Sequence, residues 1–216
     1  MTGDAIERVR AEASRADYAS MASLARALYD AGQGPRDVLR GCYGVDFPLE
    51  FFVIAEAGPL KLHLLFHFTN QPWELAVPPD RGGPTAVPDW LDGIERKVFE
   101  RDPDLVPLGL VLDLHTRLLD HVLCYRLAEL AAGRSTVFGI GREAMPADTA
   151  EPLGGALLAV LREHHADVLR WHESKFGHPS NRGAGSIELS DVAEVRSLLE
   201  RVEALQREVA SPPAAS

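Results

Sequence analysis

Cysteine is scarce in this chain: Cys42 and Cys124 are its two, far apart and each set among apolar neighbours. With no Cys-x-x-Cys pair, neither a zinc ribbon nor a thioredoxin-like centre is expected, and two buried free thiols are. Long apolar runs are missing as well, and none approaches the ~20 residues that cross a bilayer. The N-terminal stretch MTGDAIERVRAEASRADY has no apolar core of the kind a secretory signal needs, so a cytoplasmic protein is expected. Cations are the minority charge: 22 Lys and Arg stand against 32 Asp and Glu, a net charge of -10. A phosphate backbone rewards Lys and Arg, so neither nucleic acid nor a membrane is an expected partner. The same charge keeps a protein soluble, and it speeds encounter with a basic partner.

Catalytic signatures are also wanting. There is no His-Glu-x-x-His and no Gly-x-Ser-x-Gly. Phe138-Gly-Ile-Gly-Arg starts like a phosphate-cradling loop, but the third glycine position is Ala144 and Pro146 interrupts the helix start. A turn is expected there instead.

What the chain does have is pattern. Its 216 residues are 46% hydrophobic and 25% charged, ordinary values for a globular protein with a core of its own. Residues 4–31 read as helix with a break near Ser14, and Met21, Leu24, Ala25 and Leu28 form one stripe. Gly32 and Gly34 stop it, and Pro35 opens a short helix to Cys42. Pro48 opens another over Leu49–Glu56. From Leu60 to Phe68 leucines and phenylalanines alternate with Lys61, His63 and His67, which predicts a strand. Residues 69–90 hold five prolines and read as a long ordered loop. Trp90–Glu100 reads as helix; Val106–Leu114, Leu119–Tyr125 and Ser135–Ile140 read as strands of an antiparallel sheet, with a helical turn over Arg126–Gly133. The last third is helical. Leu157, Leu158, Leu161, His165, Val168 and Leu169 share a face, and Asp191 with Glu194 makes a capping pair for the final helix. That helix's stripe of Val192, Val195, Leu199, Val202, Leu205 and Val209 fits a partner helix, which allows a dimerising scaffold, or docks on its own domain. The tail SPPAAS reads as disordered.

One segment carries a family likeness. Leu39-Arg-Gly-Cys-Tyr-Gly-Val-Asp-Phe-Pro-Leu-Glu-Phe-Phe runs from a helix end through a glycine turn into a Phe-Pro helix start. It resembles the entry motif of the SUKH superfamily, on Tyr43, Gly44, Phe47, Pro48, Glu50 and Phe51. Val106-Pro-Leu-Gly, with Pro107 and Gly109, resembles that family's strand entry. The likeness covers residues 20–145; the proline-rich insertion and the two long C-terminal helices depart from the family pattern. It implies an α+β domain over 1–145, an antiparallel or mixed sheet packed against helices; from its own helical pattern, 146–216 is expected to form an extension packed on the same domain. SUKH proteins of bacteria are commonly immunity proteins, so the resemblance implies a non-enzymatic binding protein, without a cofactor, that blocks a toxin. An acidic protein suits a toxin domain that is basic where it grips phosphate.

The candidate contacts for such a partner are Asp46, Glu50, Trp73, Glu74 and Asp89. Trp73 is either an exposed aromatic anchor or a cover for the sheet edge. The alternative is a metal-dependent enzyme built on histidines and aspartates, with His63, His67, Asp113 and His115 as first candidates. His164, His165 and His172 share one predicted helix, and Asp120 and His121 lie near Asp113 in sequence. Histidines among leucines also serve as hydrogen-bonded core residues, and both uses stay open on sequence alone.

Overall fold

The computed structural model describes residues 3–85, 91–112, 119–141, 149–176 and 187–211. It is an α+β fold: helices packed on both faces of one antiparallel sheet.

Four helices come first. α1 spans Gly3–Glu12 and α2 Tyr18–Asp30, and the expected break lies between them. Asp17 caps α2 through its carboxylate, which accepts the Ser20 amide at 3.3 Å. α3, Pro35–Tyr43, takes proline at its first turn and ends on Gly44 at φ 76°. A left-handed residue there lets the Gly44 amide return to the Arg40 carbonyl at 2.8 Å, which only glycine does without strain. α4, Leu49–Ala57, starts after Pro48. Phe47 sits between the two helices, its ring 5.2 Å from Tyr43 and 4.9 Å from Phe51.

The predicted strand over 60–68 is mostly something else. Pro59–Leu62 forms a single helical turn, α5, because Pro59 presets its first φ. His63 then turns left-handed at φ 48°. The strand β1 is only Phe66–Phe68, where alternation holds: Phe66 and Phe68 are buried and His67 is exposed.

β2 (Leu105–Leu112), β3 (Leu119–Arg126), β4 (Val137–Gly141) and β5 (Glu151–Gly154) complete a meander in the order β1-β2-β3-β4-β5, each pair antiparallel. Gly139 and Gly141, expected in a turn, lie in β4 opposite Leu123 and His121. β5 was not anticipated. It is an edge strand with Pro152 in it, and edges tolerate a residue that cannot donate to the ladder.

Both sheet faces are covered. Val106, Leu108, Leu123, Tyr125 and Val137 face a large core shared with α2, α3, α4 and the C-terminal helices α8 (Leu157–Phe176) and α9 (Ile187–Ala210). Leu105, Leu110, Val122, Cys124 and Ile140 face a smaller core under α6 (Asp92–Arg101). Leu108 and Leu110 are two apart yet serve opposite faces. A register shift between Pro107 and Gly109 inserts the extra residue that flips them. Gly109 is required there, since a Cβ would overlap the Phe66 ring and the His67 carbonyl. α7, Leu127–Ala131, is the expected helical turn after β3.

Leu157, Leu158, Leu161, Val202 and Leu205 join the same core as Phe51 and Ile54. The α9 stripe is thus used internally, on Val195, Leu198, Val202 and Leu205. α9 starts at Ile187, ahead of the Asp191 predicted to open it. Among the described residues no helix is long and apolar enough to cross a membrane. Cys124 is buried and Cys42 half-buried, both as free thiols, and burial pushes the Cys42 thiol up to about 12.

Candidate functional site

The five candidate contact residues do not form one exposed face. Glu50 is in the first turn of α4 and buried at 6% exposure. Its carboxylate accepts the backbone amides of Leu157 at 2.7 Å and Leu158 at 3.1 Å, and the Tyr125 hydroxyl at 3.0 Å. Those amides open α8, so Glu50 caps a helix it does not belong to, at the end where negative charge is stabilised. The buried Tyr125 hydroxyl has its pKa raised, by burial first and by Glu50 second. Glu50 is therefore an internal strut and not a surface contact.

Trp73 is internal as well. Only 2% is exposed, its ring stacks on Phe51 at 4.3 Å, and Nε1 donates to the Leu108 carbonyl at 2.6 Å. The anchor reading fails for it, and the sheet-cover reading describes what it does. Glu74 follows in a 3₁₀ turn, Glu74–Ala76, and is half-buried. Its Oε2 accepts from the Tyr18 hydroxyl and from Thr85 Oγ1 at 2.8 Å. Burial of Tyr18 first, and that carboxylate second, hold the phenol strongly toward its protonated form. Asp46 is out in solvent, 69% exposed, and paired with Arg40 at 2.6 Å. Asp89 lies outside the described residues.

The histidine candidates are also dispersed. His63 is exposed, in the left-handed residue after α5, and His67 is exposed on β1. The shared strand face expected for them is absent because the chain between them changes conformation. Asp113 and His115 lie outside the described residues, and so does the structure around them. Among the described residues no group of three or more His, Cys, Asp or Glu side chains converges.

Two buried polar groups carry the polar architecture instead. Glu95, on α6 and 1% exposed, accepts the Asn70 amide at 2.5 Å and the Gln71 amide at 3.2 Å. It thereby fixes the chain leaving β1, which the Thr69 hydroxyl also ties to the Pro107 carbonyl at 3.0 Å. His165, fully buried on α8, accepts the Leu65 amide on Nε2 at 3.1 Å and places Nδ1 2.7 Å from the Leu161 carbonyl. Nδ1 must then carry the proton, and the ring is neutral. Burial pulls its pKa down to about 4, against a smaller opposing pull from the Leu161 carbonyl. Glu95 was not singled out by sequence, although it lies on the α6 stripe between Leu91 and Val98. An acid on an apolar stripe is the signal that marks it.

A cleft remains where the surface is open. It measures about 690 Å³ and lies between the start of α3, the outer face of α4, α5, and the 3₁₀ turns Glu74–Ala76 and Pro79–Arg81. Leu49, Phe52, Val53, Ala76 and Val77 supply apolar surface to it. Arg36, Lys61 and Arg81 supply positive charge, and Asp37 and Glu56 negative charge. The Arg36 guanidinium stands 4.4 Å over the Phe52 ring. Sequence reading did not assemble this cleft, because its lining comes from segments whose proximity only the tertiary fold creates.

No protein-family model matches the chain, and no curated protein or solved structure matches it either.

Proposed function

We propose that this chain acts by binding, as a toxin-neutralising immunity protein of SUKH type whose partner is a basic toxin domain. The observation that carries the reading is the step from α3 to α4. Gly44 takes the left-handed cap, Pro48 precedes the helix, and Phe47 packs on Tyr43, Phe51 and Tyr125. Those are the positions of the family resemblance, and they sit in an α+β framework. The net charge of -10 supports a basic partner, since opposite charge raises encounter rates. Inhibition proceeds by occlusion: the protein covers the toxin's phosphate-gripping surface. Asp46 is the contact residue retained from the sequence reading, because Glu50 and Trp73 are committed to the interior and Glu74 to Tyr18 and Thr85.

The test is affinity capture from the native cell lysate at low and high salt, with mass spectrometry of what is retained. A stoichiometric basic partner that high salt releases is the expected result. Recombinant partner must then lose its toxicity or nuclease activity when mixed with this chain in equal amounts. A captured partner whose activity is untouched overturns the neutralising reading, and so does a purely acidic partner set.

A further inference from the structure

We infer that the cleft between α3 and α4 is a binding site for a small amphipathic anion, an apolar body with one carboxylate, sulfonate or phosphate head. This site is independent of the toxin-neutralising reading. Its volume of about 690 Å³ falls within the ~300–1,000 Å³ of small-molecule sites. Its wall along α4 is apolar: Phe52 and Val53 are half-buried, and Leu49 is 46% exposed. Exposed leucine beside a concave aromatic surface is an unspent driving force that a hydrocarbon body would use.

The charge on the rim selects the head group. In a chain of net charge -10, three cations from three separate segments, Arg36, Lys61 and Arg81, meet at one cleft. Among the described residues none of the three has a carboxylate at ion-pair distance, whereas Arg40, Arg96 and Arg134 each do. Of the two acids on the rim, Asp37 lies 3.5 Å from Arg40. Arg36 stands directly over Phe52, so the cation and the apolar wall are within one small molecule's reach. An inorganic anion would leave the wall wet, and a neutral hydrocarbon would leave the cations unmatched. A ligand with both parts satisfies both.

The experiment uses the full chain at neutral pH with anilinonaphthalene sulfonate, an amphipathic anion whose fluorescence rises on burial. Saturable one-to-one binding is expected, displaced by decanoate and at least about tenfold less well by decanol, which is ~1.4 kcal/mol of head-group selectivity. The triple variant Arg36→Ala, Lys61→Ala, Arg81→Ala should bind the probe at least about fivefold more weakly. All three side chains are exposed, so its circular dichroism should match the parent's. Leu49→Asp, a second exposed change, should weaken binding without the charge deletions. Hydrogen exchange on the unmodified chain should show decanoate protecting residues 49–56 and 76–81, which keeps the test sound if the triple variant misfolds. Equal displacement by decanol, unsaturable binding, probe affinity retained in the triple variant, or protection elsewhere in the chain would each overturn the site.

Discussion

His165 and Leu65 are a hundred positions apart and meet through one hydrogen bond, the Leu65 amide donating to Nε2 at 3.1 Å. The bond holds α8 against the chain that enters β1, and it works only while the imidazole is neutral. Its unfolded pKa is near 6.5 and its folded pKa is depressed to about 4. Between those values the unfolded chain binds the proton more readily, so protonation favours unfolding. Stability from this group is whole above about pH 6.5 and drains away as pH falls toward 4, by on the order of 3 kcal/mol in all. His164, also depressed by burial, adds in the same direction. Urea titrations from pH 7 to pH 4 should show the decline. His165→Leu leaves the Leu65 amide bare and costs about 2 kcal/mol at pH 7, a gap that closes by pH 4. Parallel profiles for the two proteins would remove His165 from the account.

Glu50→Ala takes the acceptor from two α8 amides and from the Tyr125 hydroxyl together. The loss expected is about 3 kcal/mol, because buried donors left bare cost more than the bond itself contributes. Glu50→Gln keeps one acceptor oxygen and should cost roughly half as much. A surface residue would move stability by less than ~0.5 kcal/mol, so a small change in denaturant midpoint would return Glu50 to the surface.

Trp73 separates packing from hydrogen bonding. Trp73→Phe preserves a ring against Phe51 but strips the donor from the Leu108 carbonyl, at about 1–2 kcal/mol. Trp73→Ala removes both and should cost about 3–5 kcal/mol. Thermal unfolding of the pair measures the difference, and equal losses would mean the indole nitrogen contributes nothing.

How much of this was legible in sequence follows from the range of each interaction. The α3–α4 step was readable because Gly44 and Pro48 act through their own φ angles, and Phe47 through neighbours in the same segment. The short β1 was not readable, because Leu65 is withheld from the strand by a histidine on α8. Glu50 reads as a partner contact in sequence, since nothing local names the start of α8 as its target. Trp73 sits in a proline-rich segment that leaves anchor and sheet cover both open, and its burial depends on Phe51 and on β2. The apolar faces of α2, α8 and α9 came through clearly, as helical period is local. The cleft did not, since Arg36, Lys61 and Arg81 come from three separate segments that only the tertiary fold brings to one cleft.

One substitution should have opposite signs at two glycines. At Gly109 a methyl group has no room: it would overlap the Phe66 ring and the His67 carbonyl across the β1–β2 pair. Neither neighbour can give way cheaply, because Phe66 is buried and the carbonyl belongs to the partner strand. Gly109→Ala should therefore cost about 2 kcal/mol or more, with amide exchange at 66–68 rising as β1 detaches. Gly93 lies in the first turn of α6 with nothing within 4 Å of an added Cβ. Gly93→Ala only restricts the unfolded chain and favours helix, so it should stabilise by about 0.5 kcal/mol. Both changes replace one hydrogen by the same methyl group, so composition cannot explain a difference between them. If Gly109→Ala is as benign as Gly93→Ala, the close crossing of β1 over β2 at that bulge is not how the sheet is built.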